Sequence, residues 1–158
     1  MDDRVRKVRV SLTDDHPVSD AIRGSLQTYI SSLTVPQKVE LATKGNKEVR
    51  QILSRDPSSQ VARAVAYSPR TTDADVIAYS GSSLTNEEIL RIIAESREWS
   101  KNGRVKAKLV SNPRTPSAVA LRLLGHLPVS DLGPLSRNRN VSVILRREAK
   151  RRLDLHRK

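Results

Sequence analysis

Apolar side chains recur along this chain in steps of three and four, the spacing that gathers them on one face of an α-helix. The first such stretch, about residues 19–32 with Ser19 as cap, offers Ile22, Leu26, Tyr29, Ile30 and Leu33 for burial. A second runs from Thr34 to Lys44, with Pro36 in its first turn and Gly45 as a C′ stop. Asn46 caps a third, which buries Val49, Ile52 and Leu53, and a fourth carries Val61, Ala64 and Val65. The fifth extends from Thr72 to about Tyr79, with Asp75 placed at N3. Thr85 and Glu88 form a T-x-x-E capping box for the sixth, whose apolar face is Ile89, Leu90, Ile92 and Ile93. The seventh covers about residues 97–111, with a potential break at Asn102-Gly103. The eighth, about 116–125, is apolar almost all round and is expected to be the most buried. A short ninth carries Leu132 and Leu135, and Asn140 caps the tenth. Strand signals are confined to Val5, Val8, Val10 and Leu12, in a mixed-charge segment 1–16 that reads equally as a flexible N-terminal arm. The pattern predicts an all-α protein of about ten short helices, with 17–158 as a single domain.

One phrase occurs twice within this pattern. Residues 61–72 read VARAVAYSPRTT and residues 105–116 read VKAKLVSNPRTP, at a constant offset of 44. Val61 falls on Val105, Val65 on Leu109, Pro69 on Pro113, Arg70 on Arg114 and Thr71 on Thr115. A degenerate copy, VRQILSRDPSS at 49–59, precedes both. Each copy reads as a helix, a proline break and a capped helix, because the residue before proline is pushed out of the α region. Thr72 and Thr115 are the expected caps, and Pro116 suits a first helical position. Units of this kind repeated along a chain predict stacked helices.

The phrase V-[RK]-x-x-[VL]-[AV]-x-[NS]-P-x-T-[TP] resembles the leucine-rich repeat variant, a bacterial helical repeat akin in architecture to HEAT-like repeats. VKAKLVSNPRTPSAVALRLL at 105–124 is the best match, and the resemblance covers about residues 33–153. Thr72 stands where the pattern prefers proline, and the 44-residue offset requires an irregular or merged unit between the two good copies. The resemblance implies a short right-handed α-solenoid of stacked helix-turn-helix repeats that binds on an extended surface. It implies no catalytic residue and no cofactor.

Charge sharpens that expectation. The 158 residues carry a net charge of +12, and its position matters more than its size. Residues 1–98 hold 14 Lys+Arg against 14 Asp+Glu, whereas residues 99–158 hold 15 against 3. Such asymmetry points to a partner of opposite sign: nucleic acid, an acidic protein or anionic lipid. There is no Cys, so disulfides, thiol nucleophiles and thiolate metal sites are excluded. The N-terminus MDDRVRKVRV lacks the apolar core of a signal peptide, and no apolar run is long enough to span a membrane, so a cytoplasmic location is expected. His16, His126 and His156 lack metal-ligand spacing, and no phosphate-loop or nucleophile-elbow motif is present. A binding protein rather than an enzyme is the expectation.

Four groups of residues are candidates for contact. Arg97, Lys101, Arg104 and Lys108 are spaced +4, +3 and +4, one stripe if the seventh helix is continuous. Such a stripe would track a phosphate backbone, or simply be a solvated face. On the last helix, Val141, Leu145, Ala149 and Leu153 form the docking stripe. Arg146, Arg147, Lys150, Arg157 and Lys158 then fall on the far side, with Arg151 at its edge. A polar far side is also what a terminal repeat requires for solubility. Arg70 and Arg114 are matched turn residues that either read successive anionic groups or are merely exposed. Trp99, the only tryptophan, is either a partner anchor or a core filler. The function these features imply is binding of an acidic partner, foremost nucleic acid (DNA) through its phosphates. The alternative is a protein–protein adaptor that holds an acidic protein or peptide.

Overall fold

In a computed structural model, residues 12–15 and 17–158 are described, and they are all-helical. The helices are α1 Asp20–Ser31, α2 Val35–Lys44, α3 Lys47–Leu53, α4 Ser59–Ala66, α5 Asp73–Gly81, α6 Glu87–Glu95, α7 Gly103–Ser111, α8 Ser117–Leu124, α9 Val129–Ser136 and α10 Val143–His156. A single 3-10 turn, Trp99–Lys101, precedes α7. Strand and arm expectations for residues 1–11 and His16 lie outside the described residues. Residues 12–15 are pinned: the Asn46 amide N–H donates to the Leu12 carbonyl, the Asn46 side chain to that of Asp14, and Arg70 to that of Thr13.

The chain forms two compact units, 1–75 and 76–158, with the division inside α5. In the first, α2 packs on α4 and α1 on α3. In the second, α6 packs on α8, α8 on α10, and α9 on α10. Most of these helices are too short to be stable alone, so each depends on the apolar residues it buries against its neighbours. Leu26, Ile30, Val49, Leu53, Val61 and Val65 fill the first core. Ile89, Leu90, Ile93, Val105, Leu109 and Leu124 fill the second. Full burial of each such side chain stabilises by about 1.5–3 kcal/mol.

One turn is built five times. Asp56, Ser68, Ser82, Asn112 and Asn138 each donate their N–H to the carbonyl three residues back. Those carbonyls belong to Leu53, Val65, Tyr79, Leu109 and Leu135, all buried. The side chain of each turn-opening residue then accepts the N–H of the residue two places on: Ser58, Arg70, Leu84, Arg114 and Asn140. This Asx/ST turn ends the helix by satisfying its orphan groups, and it needs a short polar acceptor rather than a proline. Three copies coincide with the sequence phrase. The other two, SSLT at 82–85 and NRNV at 138–141, have no proline. The turn at Ser82 lies within the 44-residue offset, dividing it into steps of 14 and 30.

Several local expectations are corrected. The cap of α6 is Asn86, whose side chain accepts from Glu88 N–H. Thr85 is buried instead and donates its hydroxyl to the Tyr79 carbonyl at 2.8 Å, as Thr71 does to Val65. Ser142, not Asn140, caps α10, and Pro116 occupies the cap position of α8 with no side-chain bond. Thr115 caps nothing: its hydroxyl is buried without a partner among the described residues. The most buried helix is α6, with five of its residues in the core, whereas α8 buries Ala120, Leu123 and Leu124 and exposes Ala118. In α1, Ile22 is exposed while Leu26 and Ile30 are buried. Gly45 ends α2 in an extended conformation, φ −68°, so no left-handed turn requires it. Close packing does. A Cβ there would stand 2.5 Å from Val49 Cγ1 and 2.7 Å from the Leu41 carbonyl oxygen.

Other expectations agree with the structure. Ser19, Thr34 and Asn46 cap α1, α2 and α3 through their side-chain oxygens, and Thr34 with Gln37 forms a full capping box. Thr72 and Asp75 cap α5 reciprocally, each side chain accepting the other's N–H.

Candidate anionic-ligand interface

The seventh helix breaks where Asn102 stands. Its backbone is extended, φ −73° and ψ 116°, and its side-chain oxygen accepts from the N–H groups of Arg104 and Val105. Asparagine before glycine favours this cap over continuing a helix. Arg97 therefore precedes the break, and Lys101 lies in the 3-10 turn; only Arg104 and Lys108 share a face, one turn apart on α7. The continuous stripe of four cations does not form. Trp99 sits half-buried in that same 3-10 turn, and its backbone N–H donates to the Ser96 hydroxyl.

The last helix differs from expectation at two cations. Arg146 is half-buried rather than on the solvent side. Arg151 is exposed, but its guanidinium makes two bonds to Glu148, at 2.7 and 2.9 Å, and Arg152 adds a third at 2.8 Å. Hydrogen bonds from Arg151 and then Arg152 hold the Glu148 carboxyl down to about 2. A carboxylate so depressed favours the native state at any pH above its unfolded value of 4.5, and that contribution disappears as pH falls through about 2. Glu148 is accordingly expected to titrate near 2 by side-chain carbonyl NMR, and to move back toward 4.5 in the Arg151→Ala/Arg152→Ala variant. A wild-type midpoint at 4.5 would disprove the pairing. Arg147, Lys150, Arg157 and Lys158 remain exposed. Ile144 and Leu155 are exposed on α10 as well, at 66% and 57%.

The matched arginines have diverged. Arg70 is committed to structure: it donates to the carbonyls of Thr13 at 2.7 Å and Lys44 at 2.8 Å and meets Asp15 at 3.4 Å. The Asp15 carboxyl is held below its ordinary value, first by the Lys47 N–H and then by the Arg70 charge. Arg114, its equivalent, is exposed and has no carboxylate partner among the described residues.

Ion pairing separates the first unit from residues 99–158. In the first, Arg23, Lys38, Lys44, Arg50 and Arg70 each meet a carboxylate. Of the fifteen Lys and Arg in 99–158, Arg151 and Arg152 share Glu148, and the other thirteen pair with no carboxylate among the described residues. By sequence the first unit carries +2 and the second +10.

Within the second unit three of the repeated turns border one groove of about 630 Å³, lined by Gly81, Ser83, Lys108, Ser111, Asn112 and Asn140. Asn112 is its strut. Its amide donates to the Ser80 carbonyl at 2.8 Å and the Ser82 carbonyl at 2.9 Å, so one turn is tied to the turn before it. The equivalent residue of the first copy, Ser68, has no amide with which to do this. Lys108, half-buried, lays its chain across Gly81, its Nζ 3.1 Å from where a Cβ on that glycine would be. Sequence reasoning missed Gly81, Ser83, Asn140 and the exposed Arg139. The available signal was the short polar acceptor that opens each turn.

Among the described residues no group of three or more His, Asp or Glu is placed to hold a metal ion. No helix of the described residues is long and apolar enough to cross a membrane. Comparison with known protein families, with characterised proteins and with solved structures finds no match.

Proposed function

We propose that this chain is a non-enzymatic helical repeat module, a short solenoid similar to the leucine-rich repeat variant, and that it binds nucleic acid through residues 99–158. The five-fold turn and the packing of helices on their next-but-one neighbours support the repeat reading. The observation that carries the function is the set of thirteen cations without a carboxylate partner. A solvated face normally mixes signs and neutralises itself, as the first unit does. Cations left unneutralised over residues 99–158 suit a polyanion whose counter-ions they displace. The contacts proposed are Arg104, Lys108 and Arg114 around the turns, and Arg147 and Lys150 on α10, with Arg97, Lys101 and Arg146 at the margins. Arg151 contributes least because Glu148 neutralises it. Binding would be to phosphates, with little dependence on base sequence.

Fluorescence anisotropy with a labelled DNA duplex tests this. The logarithm of the affinity should fall linearly with the logarithm of salt concentration, by about 0.9 per phosphate contact, giving a slope of several units. Absence of binding at low salt would overturn the proposal. A second reading, an adaptor for an acidic protein, is favoured by exposed Ile144 and Leu155 beside the α10 cations. It predicts that a pull-down after nuclease treatment recovers one acidic partner, and that Ile144→Ser abolishes the capture.

A further inference from the structure

Lys108, a half-buried residue, lines a groove without a carboxylate counter-ion, and everything else lining that groove is neutral. Ser83 and Ser111 bring hydroxyls and Asn140 a carboxamide, none of them committed to a hydrogen bond among the described residues. No carboxylate lines the space. Asn112 is already spent: both its amide hydrogens go to the Ser80 and Ser82 carbonyls, and its oxygen accepts the Arg114 N–H. It therefore shapes the floor and leaves the ligand to the others. Gly81 sets the position of the cation, since a Cβ would come within 3.1 Å of Lys108 Nζ and 3.5 Å of Cδ. One cation with three uncommitted neutral donors and no carboxylate is the chemistry that receives a singly charged oxyanion.

We infer that this groove holds one phosphate of a nucleic-acid strand, with Lys108 as its cation and Ser83, Ser111 and Asn140 as hydrogen-bond donors. The inference rests on the function proposed above and assigns the position at which the strand is held. A strand rather than a free anion is indicated by the chain neighbours of two lining residues. Arg114 follows groove-lining Pro113, and Arg139 precedes groove-lining Asn140. Both are exposed and without a carboxylate partner among the described residues, so further cations stand next in the chain to the groove's lining, available to the successive phosphates of a backbone.

The test measures anisotropy of a labelled oligonucleotide across a salt series with wild type, Lys108→Gln, Gly81→Val and Ser83→Ala. Lys108→Gln should weaken binding about tenfold at low salt and reduce the salt slope by about one, as expected when a single cation no longer meets its phosphate. Gly81→Val should lower affinity by a similar factor without any change of charge, because it displaces the ammonium. Ser83→Ala, an exposed change that leaves the fold intact, should cost a few-fold with the slope unchanged. Wild-type binding that all three variants retain in full would overturn the groove while leaving the nucleic-acid reading standing. No binding by wild type overturns that reading itself, and the groove's assignment to a strand with it. Competition by inorganic phosphate at millimolar concentration, lost in Lys108→Gln, would support the anion site independently.

Discussion

Asp75→Ala is expected to destabilise the first unit by about 3–5 kcal/mol, because it strands the charge of a buried guanidinium. Arg50 and Asp75 are both about 3% exposed, and Arg50 Nη2 donates to the carboxylate at 2.8 Å. Nη1 donates to the Gly45 carbonyl at 3.0 Å, while Nε has no partner among the described residues. Removal of the carboxylate therefore leaves the buried cation with the Gly45 carbonyl as its one acceptor among the described residues. The same oxygen accepts the Thr72 N–H at 3.0 Å, so the cap of α5 is lost too. Paired replacement, Arg50→Met with Asp75→Leu, should recover much of the loss, since no charge is then buried. Denaturant midpoints and amide exchange in α3 and α4 would measure both variants. A cost below about 1 kcal/mol for Asp75→Ala would mean that water reaches the pair.

Charge reversal at Arg147 and Lys150 together should reduce DNA affinity by about a hundredfold or more at low salt, because two attractions to phosphate are each replaced by a repulsion. Both side chains are exposed on α10 and lack a carboxylate partner among the described residues, so the fold should change in stability by less than about 0.5 kcal/mol. Arg151→Glu should have a smaller effect on binding than either single change, because Glu148 already offsets the Arg151 charge through two short bonds. Equal effects at Arg147 and Arg151 would show that total charge matters and its placement does not. Unchanged affinity in the double variant would exclude α10 from the interface.

The helices themselves were legible because their causes are local. Caps such as Ser19, Thr34 and Asn46 satisfy orphan N–H groups within three residues, and apolar spacing decides which face is buried. The proline phrase was legible for the same reason, and it led to three of the five turns. Its prolines were the conspicuous feature but not the operative one: the turns at Ser82 and Asn138 need only an acceptor side chain two residues before the N–H it captures. Where competing local choices were close in energy, neighbours chose. Asn86 caps α6, while the Thr85 side chain is turned into the core, where its hydroxyl donates to the Tyr79 carbonyl.

What the chain's order of residues determined by itself is the helical character of the described residues, the number and rough limits of the helices among them, and the concentration of positive charge after residue 98. Periodicity, capping and net charge are properties of short segments or of sums, and both survive without knowledge of the fold. Tertiary structure decided which of those charges remain available. Arg50 found Asp75 and Arg70 found the carbonyls of Thr13 and Lys44, whereas Lys108 and Arg114 found no carboxylate among the described residues. A hydrogen bond or ion pair depends on distances of about 3 Å between residues 25 or more positions apart, as with Arg50 and Asp75, and only packing sets such distances. For that reason the second use of the proline phrase, identical to the first in its turn, carries an arginine that is exposed while the first carries one that is a brace.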